Sequence, residues 1–331
     1  MNLRIVDWND VDPESLRNLY MHFPYPPYFG SPIVDENLQA YRFSSVAKAA
    51  AENPDRFLVA LGGGSRVLAA AQLRRTDHLS NHFGIEVATV SNEAFVTDGA
   101  AENYQAFKLL LQELRMKAEK RNVTFVTATA ASQAFQWIRA LEDAGFRYAD
   151  GFRHVTCPGD ADYSEFYARK DLVIRDLVES DYDEIEYGFL NVPYPNHLLH
   201  EPEFDKRAVA ALYVKRFREV NEQVGKVFVG ELNGQFAAAL NGIIDRDLKE
   251  STGLVVNHLS QGIIVHPRAA SKGVALSLIA YRHAWYAEQG MKLGYFGSNI
   301  NNLPMIRGLE KLRAKHVGIE ISMMLRLKGG Q

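Results

Sequence analysis

The chain has 331 residues, 47% hydrophobic and 23% charged, a length that suits two domains better than one. A formal net charge of −3 offers no overall basic field for nucleic acid or an anionic membrane, and no apolar run approaches the ~18 residues of a spanning helix. The single cysteine, Cys157, excludes an internal disulfide and reads as a structural thiol in a reducing compartment. The opening MNLRIVDWND has no signal-peptide apolar region, so a cytoplasmic protein is expected.

In chain order, LRIVDWNDVD (3–12) reads as a short strand running into an acidic helix start. A stiff HFPYPP loop (22–27) follows, then a helix over 37–52 and a hairpin, FLVAL and RVLAAAQL, joined by a glycine turn. Next come a strand (TVSNEAFV), a helix over 104–120, a strand (VTFVTATA), a helix over 132–143 and a last strand. After a linker at 156–170 the order repeats. LVIRDLVESD (172–181) opens it, NVPYPN (191–196) repeats the proline loop, and a helix covers 203–222. VFVGEL and QFAAALNGII form an Asn-Gly hairpin, followed by HLSQGIIV, a helix over 273–289, LGYFGSN, a helix over 303–312 and a final strand.

A shift of 169 pairs Pro24 with Pro193, Leu3 with Leu172, Ile5 with Ile174, Ser91 with Ser260, Val96 with Val265 and Leu109 with Leu278. Matches that keep order and spacing over more than a hundred residues indicate two copies of one module. Each copy has the order β-α-α-β-β-β-α-β-α-β, which indicates an α+β domain with a mixed, mostly antiparallel sheet flanked by helices. The expected boundaries are 1–155 and 171–331.

Specific residues carry a resemblance to the GNAT family of acyl-CoA-dependent N-acyltransferases. IRDLVESDYDEI resembles its opening strand and helix, VFVGELNGQFAAALNGI its central hairpin, and GIIVHPRAASKGVALSLI its strand, pyrophosphate loop and helix. GSNINNLPMIRGLEKL, and WIRALEDAGF in the first copy, resemble the closing strand end and helix. The resemblance implies two tandem GNAT-like domains covering nearly the whole chain, with acetyl-CoA as acyl donor. The implied cofactor contacts are Ser271, Lys272, Gly273, Val274 and Ala275 in the loop, Ile264 and Val265 through their backbones, and Asn299 and Asn302 beyond. A diphosphate needs several backbone N–H groups aimed at one point, which a helix N-terminus with small residues supplies. Ala270 departs from the family's long polar residue; Arg268 or Lys272 would supply charge instead. In the first copy the matching run is Ala101-Glu102-Asn103-Tyr104-Gln105-Ala106, where a ring and a carboxylate oppose diphosphate binding, so that copy is expected to be degenerate.

Direct transfer to an amine needs a base and a proton donor. The family's frequent acid, a tyrosine on the last helix, is replaced by Leu309 and, in the first copy, Leu141. His258, Glu231 and Tyr295 are the candidate catalytic residues, with Tyr286 as another proton donor. Tyr194, His197 and His200, in the loop that in this family folds over the acceptor, are the candidate substrate contacts. For Tyr25, core packing is the leading expectation. His197, His200 and Glu201 lack a third distant ligand, so no metal is expected. The expected function is N-acylation of the primary amine of a small molecule in the C-terminal domain, with neither nucleic acid nor membrane as partner and homo-oligomerisation compatible. The alternative is a non-catalytic acyl-CoA or metabolite binding module on the same scaffold.

Overall fold

The computed structural model describes residues 2–191, 198, 201, 204–256 and 262–327. In chain order its strands and α-helices are β1 (Arg4–Asp7), α1 (Pro13–Met21), α2 (Glu36–Glu52), β2 (Phe57–Leu61), β3 (Val67–Arg75), α3 (Asp77–Phe83), β4 (Val87–Phe95), α4 (Ala101–Lys120), β5 (Phe125–Ala131), α5 (Phe135–Asp143) and β6 (Arg147–Pro158). Then come β7 (Leu172–Asp176), α6 (Asp181–Asn191), α7 (Lys206–Glu219), β8 (Gly225–Leu232), β9 (Gln235–Ile243), α8 (Arg246–Thr252), β10 (Ile263–Val265), α9 (Val274–Glu288), β11 (Leu293–Asn299), α10 (Leu303–Lys311) and β12 (Lys315–Arg326). Aspartates set several helix starts: Asp12, Asp35, Asp205 and Asp245 each accept a first-turn N–H of α1, α2, α7 and α8.

Two compact units result, Met1–Gly151 with Gly318–Gln331, and Phe152–Val317. They are not contiguous, where the sequence pattern suggested 1–155 and 171–331. The closing strand of the first unit comes from the far end of the chain, and β6 runs through the first part of the expected linker. Strand pairing, which sequence spacing does not encode, decides this.

In the first unit the strand order is β1-β2-β3-β4-β5-β12, antiparallel except for β4–β5. The β4–β5 pairing covers only Val87–Val90 against Phe125–Ala128. Asn92 has φ 52°, and the β3–β4 register shifts there, so β4 bends away from β5. Its core joins β2 and β3 to Phe107, Leu110, Leu114 and Trp137. Tyr25 packs in this core against Phe23, Phe29 and Phe95, the packing role expected for it.

In the second unit β10-β9-β8-β7 form a four-stranded antiparallel sheet with β10 at its edge. Separately, β11 pairs antiparallel with residues 152–158 of β6. A parallel bridge joins Val256 to Leu293, and no described residue of β10 pairs with β11. Val274, Leu278 and Ile279 of α9 pack with Phe228, Leu240, Phe296 and Cys157 in the core. Cys157 is fully buried, and burial pushes its thiol up, which fits an unreactive packing role.

Candidate functional site

In the second unit β10 is the edge strand of its sheet, and among the described residues it pairs only with β9. The bonds Asn241 N–H to Gly262 C=O (3.0 Å) and His266 N–H to Ala237 C=O (2.8 Å) fix the alternation along β10. Gly262, Ile264 and His266 turn their backbone groups to β9, so Ile263 and Val265 turn theirs to the free edge. Val265 is therefore placed as expected, whereas Ile264 is not; Ile263 is the second outward amide. Period-2 alternation could have given the pair 263/265 from sequence once either member was chosen. On the helical side, a Cβ on Gly188 of α6 would lie 2.7 Å from Ile264 Cγ1. Glycine there lets α6 sit directly on β10.

Past β10 the chain makes a 3-10 turn over Pro267–Ala269, then a loop before α9. Ser271 (φ 61°) and Gly273 (φ 79°) are left-handed, which reverses the chain and turns it into the helix. Lys272 and Gly273 are exposed. The first intrahelical bond is Ser277 N–H to Gly273 C=O (3.1 Å), so the amides of Gly273, Val274, Ala275 and Leu276 head the helix. Such a terminus attracts a phosphate by aligned N–H groups and dipole. Positive charge comes from an unexpected place. Arg169 donates to Lys272 C=O (2.8 Å), holds Asp171 in a two-bonded ion pair, and puts Nη1 3.5 Å from where a Gly273 Cβ would stand. Arg268 instead turns to Glu184 (2.5 Å) and His266 (2.9 Å). His266 also lies 3.2 Å from Glu184 and stacks under Tyr187. Burial, then the Arg268 charge, pushes the His266 pKa down, so the ring is neutral at pH 7.

Several expected residues have other work. Glu231 is held by Arg175 Nε at 2.7 Å, and Arg175 also grips Asp181 at 2.7 Å. This makes Glu231 part of an ion-pair bridge between β7, β8 and α6 rather than a free base. Tyr286 is fully buried, donating to Ile243 C=O and accepting from Ile243 N–H, both at 2.7 Å. Tyr295 is buried with its ring stacked on His154, centroids 5.2 Å apart. Asn302 caps α10 through Met305 N–H (3.2 Å), and the buried Asn299 accepts from Asn301 N–H (2.8 Å). Leu309 is buried in the core. His258, Tyr194, His197 and His200 lie outside the described residues.

The same place in the first unit is closed by its own side chains. Only four residues separate Val96 from α4, against eight between Val265 and α9. Asp98 accepts from Ala100 N–H (3.0 Å), Asn103 Nδ2 (2.6 Å) and Arg66 (2.7 Å), putting a carboxylate at the head of α4. Glu102 accepts from Gly63 N–H (3.2 Å), and Tyr104 donates to Asp143 (2.5 Å). Phe95 at the end of β4 stacks on Trp137, with centroids 4.9 Å apart.

No protein-family model matches the chain, and no curated protein matches its sequence. Similar solved structures include a GCN5-related N-acetyltransferase from Sphaerobacter thermophilus, 11% identical with a TM-score of 0.64, over 99% of this chain and 97% of that one. A tandem GNAT protein from the clavulanic acid biosynthesis pathway is 14% identical with a TM-score of 0.52, over the whole of both chains. A GCN5-related glucosamine N-acetyltransferase region of a fungal multi-domain β-N-acetylglucosaminidase is 10% identical with a TM-score of 0.59, over 97% of this chain and 38% of that one. The chain carries the fold of the tandem GCN5-related N-acetyltransferases.

Proposed function

We propose that the protein is an acetyl-CoA-dependent N-acyltransferase that acylates the primary amine of a small molecule by direct transfer, with its active site in the second unit. The observation that carries this is the contrast between the two helix heads. That of α9 is preceded by a long loop with two left-handed residues and Arg169 beside it, whereas just ahead of α4 the Asp98 carboxylate accepts the Ala100 N–H. The names of the similar structures, acetyltransferases and one of them for glucosamine, support amine acylation.

The residues present fit the donor. The amides of Gly273–Leu276 and the guanidinium of Arg169 would hold the diphosphate, and the outward groups of Ile263 and Val265 would pair with the pantetheine arm. Acetyl-CoA supplies an activated acyl group when bound. The Val265 N–H would polarise the acyl carbonyl as charge develops on its oxygen, an effect that needs no special side chain. The acceptor must arrive as a neutral amine, and the proton it loses needs an acceptor. With Glu231 held by Arg175, His258, just before β10 in sequence, is the base proposed here. An imidazole can accept and release a proton near neutral pH, which suits general-base work.

Titration calorimetry with acetyl-CoA, on the parent and on Gly273→Tyr, tests the reading. The substitution copies the first unit's residue into a left-handed position and should abolish binding. Unchanged binding in the variant moves the donor site elsewhere; no binding by the parent removes the reading. A second reading, a non-catalytic acyl-CoA binding module, is favoured by the buried Leu309 at the usual proton-donor position. Binding without release of free thiol in the presence of amines would select it.

A further inference from the structure

The loop ahead of α9 is held at two ends. At its far end Arg169 donates to the Lys272 carbonyl (2.8 Å), and at its near end the chain leaves β10 through His266. The His266 ring is only 7% exposed and touches the turn that follows it, α6 and β9. Its Nδ1 accepts from the Arg268 backbone N–H (3.2 Å), capping the turn Pro267–Ala269, and from Arg268 Nε (2.9 Å). Those two bonds assign the ring proton to Nε2, which stands 3.2 Å from Glu184 Oε2 of α6. Arg268 Nη2 donates to the same oxygen (2.5 Å). Tyr187 stacks on the ring with centroids 5.0 Å apart, and Phe236 of β9 meets it edge-on at 6.5 Å.

The spacing of these contacts is regular. Glu184 lies one helical turn before Gly188, and His266 two residues after Ile264, so the face of α6 that meets Ile264 through Gly188 meets His266 through Glu184. A residue needed only for packing here would be apolar, and one needed only to cap the turn would be the shorter Ser, Asp or Asn. A neutral imidazole does both and adds a third bond: one nitrogen accepts while the other donates, so one side chain ties the turn to α6. Beyond it the loop rests on few bonds of its own. They are Ala269 N–H to His266 C=O (2.9 Å), Ala270 N–H to Pro267 C=O (3.1 Å) and Lys272 N–H to Ala269 C=O (3.2 Å). The left-handed Ser271 and Gly273 then lead into α9, so the place where this turn starts sets where the first amides of the helix point.

We propose that His266 is a positioning residue for the acyl donor. Through Nδ1 it fixes the turn that aims the amides of residues 273–276, and Glu184 orients its ring from the helix seated on β10. In this role the imidazole touches neither the diphosphate nor the acyl group. The ligand named here rests on the acyltransferase reading, while the hold on the loop is a property of the chain alone.

Two measurements on the full chain test this, each on the parent, His266→Phe and His266→Asn. Hydrogen exchange of the amides of residues 268–272 is followed by mass spectrometry without ligand, and acetyl-CoA affinity by titration calorimetry. His266→Phe keeps a stacked ring and loses the acceptor, so exchange should speed up and the Kd should rise about 5-fold, the factor that one helix cap is worth. His266→Asn puts an acceptor back at the capping distance and should return both readings to within about 2-fold of the parent. A ring that only packs would give the opposite order, with His266→Phe the milder change. If His266→Phe fails to fold, His266→Ala takes its place with the same expectation. With acetyl-CoA bound by the parent, three results would each overturn the proposal alone: parent-like exchange in His266→Phe, a parent-like Kd in that variant, or no rescue by His266→Asn. No binding by the parent would overturn the acyltransferase reading and this proposal with it.

Discussion

Glu320 of β12 offers a direct check on burial in the first unit. Replacing it by glutamine keeps its shape and removes only its ionisation. Its carboxyl titrates at 4.5 when free and at about 7 in the folded chain, with burial as the cause. Between these values the folded chain binds more protons than the unfolded one, so the stability this group leaves intact below pH 4.5 is lost as pH rises through 7. At pH 8.5 the full loss is about 3 kcal/mol, and at pH 5 it is less than about 1 kcal/mol. Glu320→Gln should therefore stabilise the first unit by about 3 kcal/mol at pH 8.5 and much less at pH 5. In urea, with a slope of about 2 kcal/mol/M, that is a midpoint shift of about 1.5 M. Trp8 and Trp137 are both buried in this unit, so tryptophan fluorescence reports its unfolding. Equal midpoints of parent and variant at pH 8.5 would refute the reasoning, since the carboxyl would then be solvated. A lower midpoint for the variant would show that Glu320 is ion-paired.

Three further outcomes follow from the helix heads and the buried tyrosine. Arg169→Ala removes the guanidinium beside Gly273 and should raise the acetyl-CoA Kd about 10-fold by calorimetry, equivalent to losing one charge-assisted phosphate bond. Asp98→Ala strips the carboxylate from the head of α4 and should destabilise the first unit by about 1 kcal/mol in urea, while acetyl-CoA affinity stays the same. The Ala100 amide and Arg66 hold the Asp98 pKa below the usual carboxylate range, so its contribution should fade as pH drops through that range. Tyr286→Phe breaks two hydrogen bonds to Ile243 and should cost about 2 kcal/mol in denaturant. Turnover by the folded variant should be unchanged; a selective loss of kcat would restore Tyr286 as a proton donor.

Much of the architecture is written locally in the sequence. The Asn-Gly turn, the runs FLVAL, RVLAAAQL and VFVGEL, and the long helix after GIIVHPRAASKG form as their patterns predict, while of HLSQGIIV the residues 258–261 lie outside the described ones. LGYFGSN is a strand over its whole length. Each depends on near neighbours: turn residues with left-handed φ, alternating or helical apolar spacing, an aspartate three residues from a free amide. Two short helices, α3 and α8, escaped notice, although Gly84 and Gly253 end them with left-handed φ and Asp245 caps the second. Asn302 shows the limit of local reading. Asparagine at that spot suits a cofactor contact and a helix cap equally, and only coordinates show the cap.

The site itself belongs to the tertiary structure. The glycine-bearing loop is legible as a candidate phosphate loop because the requirement for small residues and left-handed φ is local. Arg169 stands 103 residues from the carbonyl it grips, and Glu231 lies 56 residues from its arginine. Arg42 meets β4 51 residues away, and Glu320 enters the same unit from the far end of the chain. The sequence by itself determined the repeated module and its element order. Only the tertiary structure decided which charges are paired and which strand closes each unit. The reason is physical: helices, turns and caps answer to neighbours a few residues away, whereas the state of a charge depends on whatever the folded chain brings beside it and on how much water is left there.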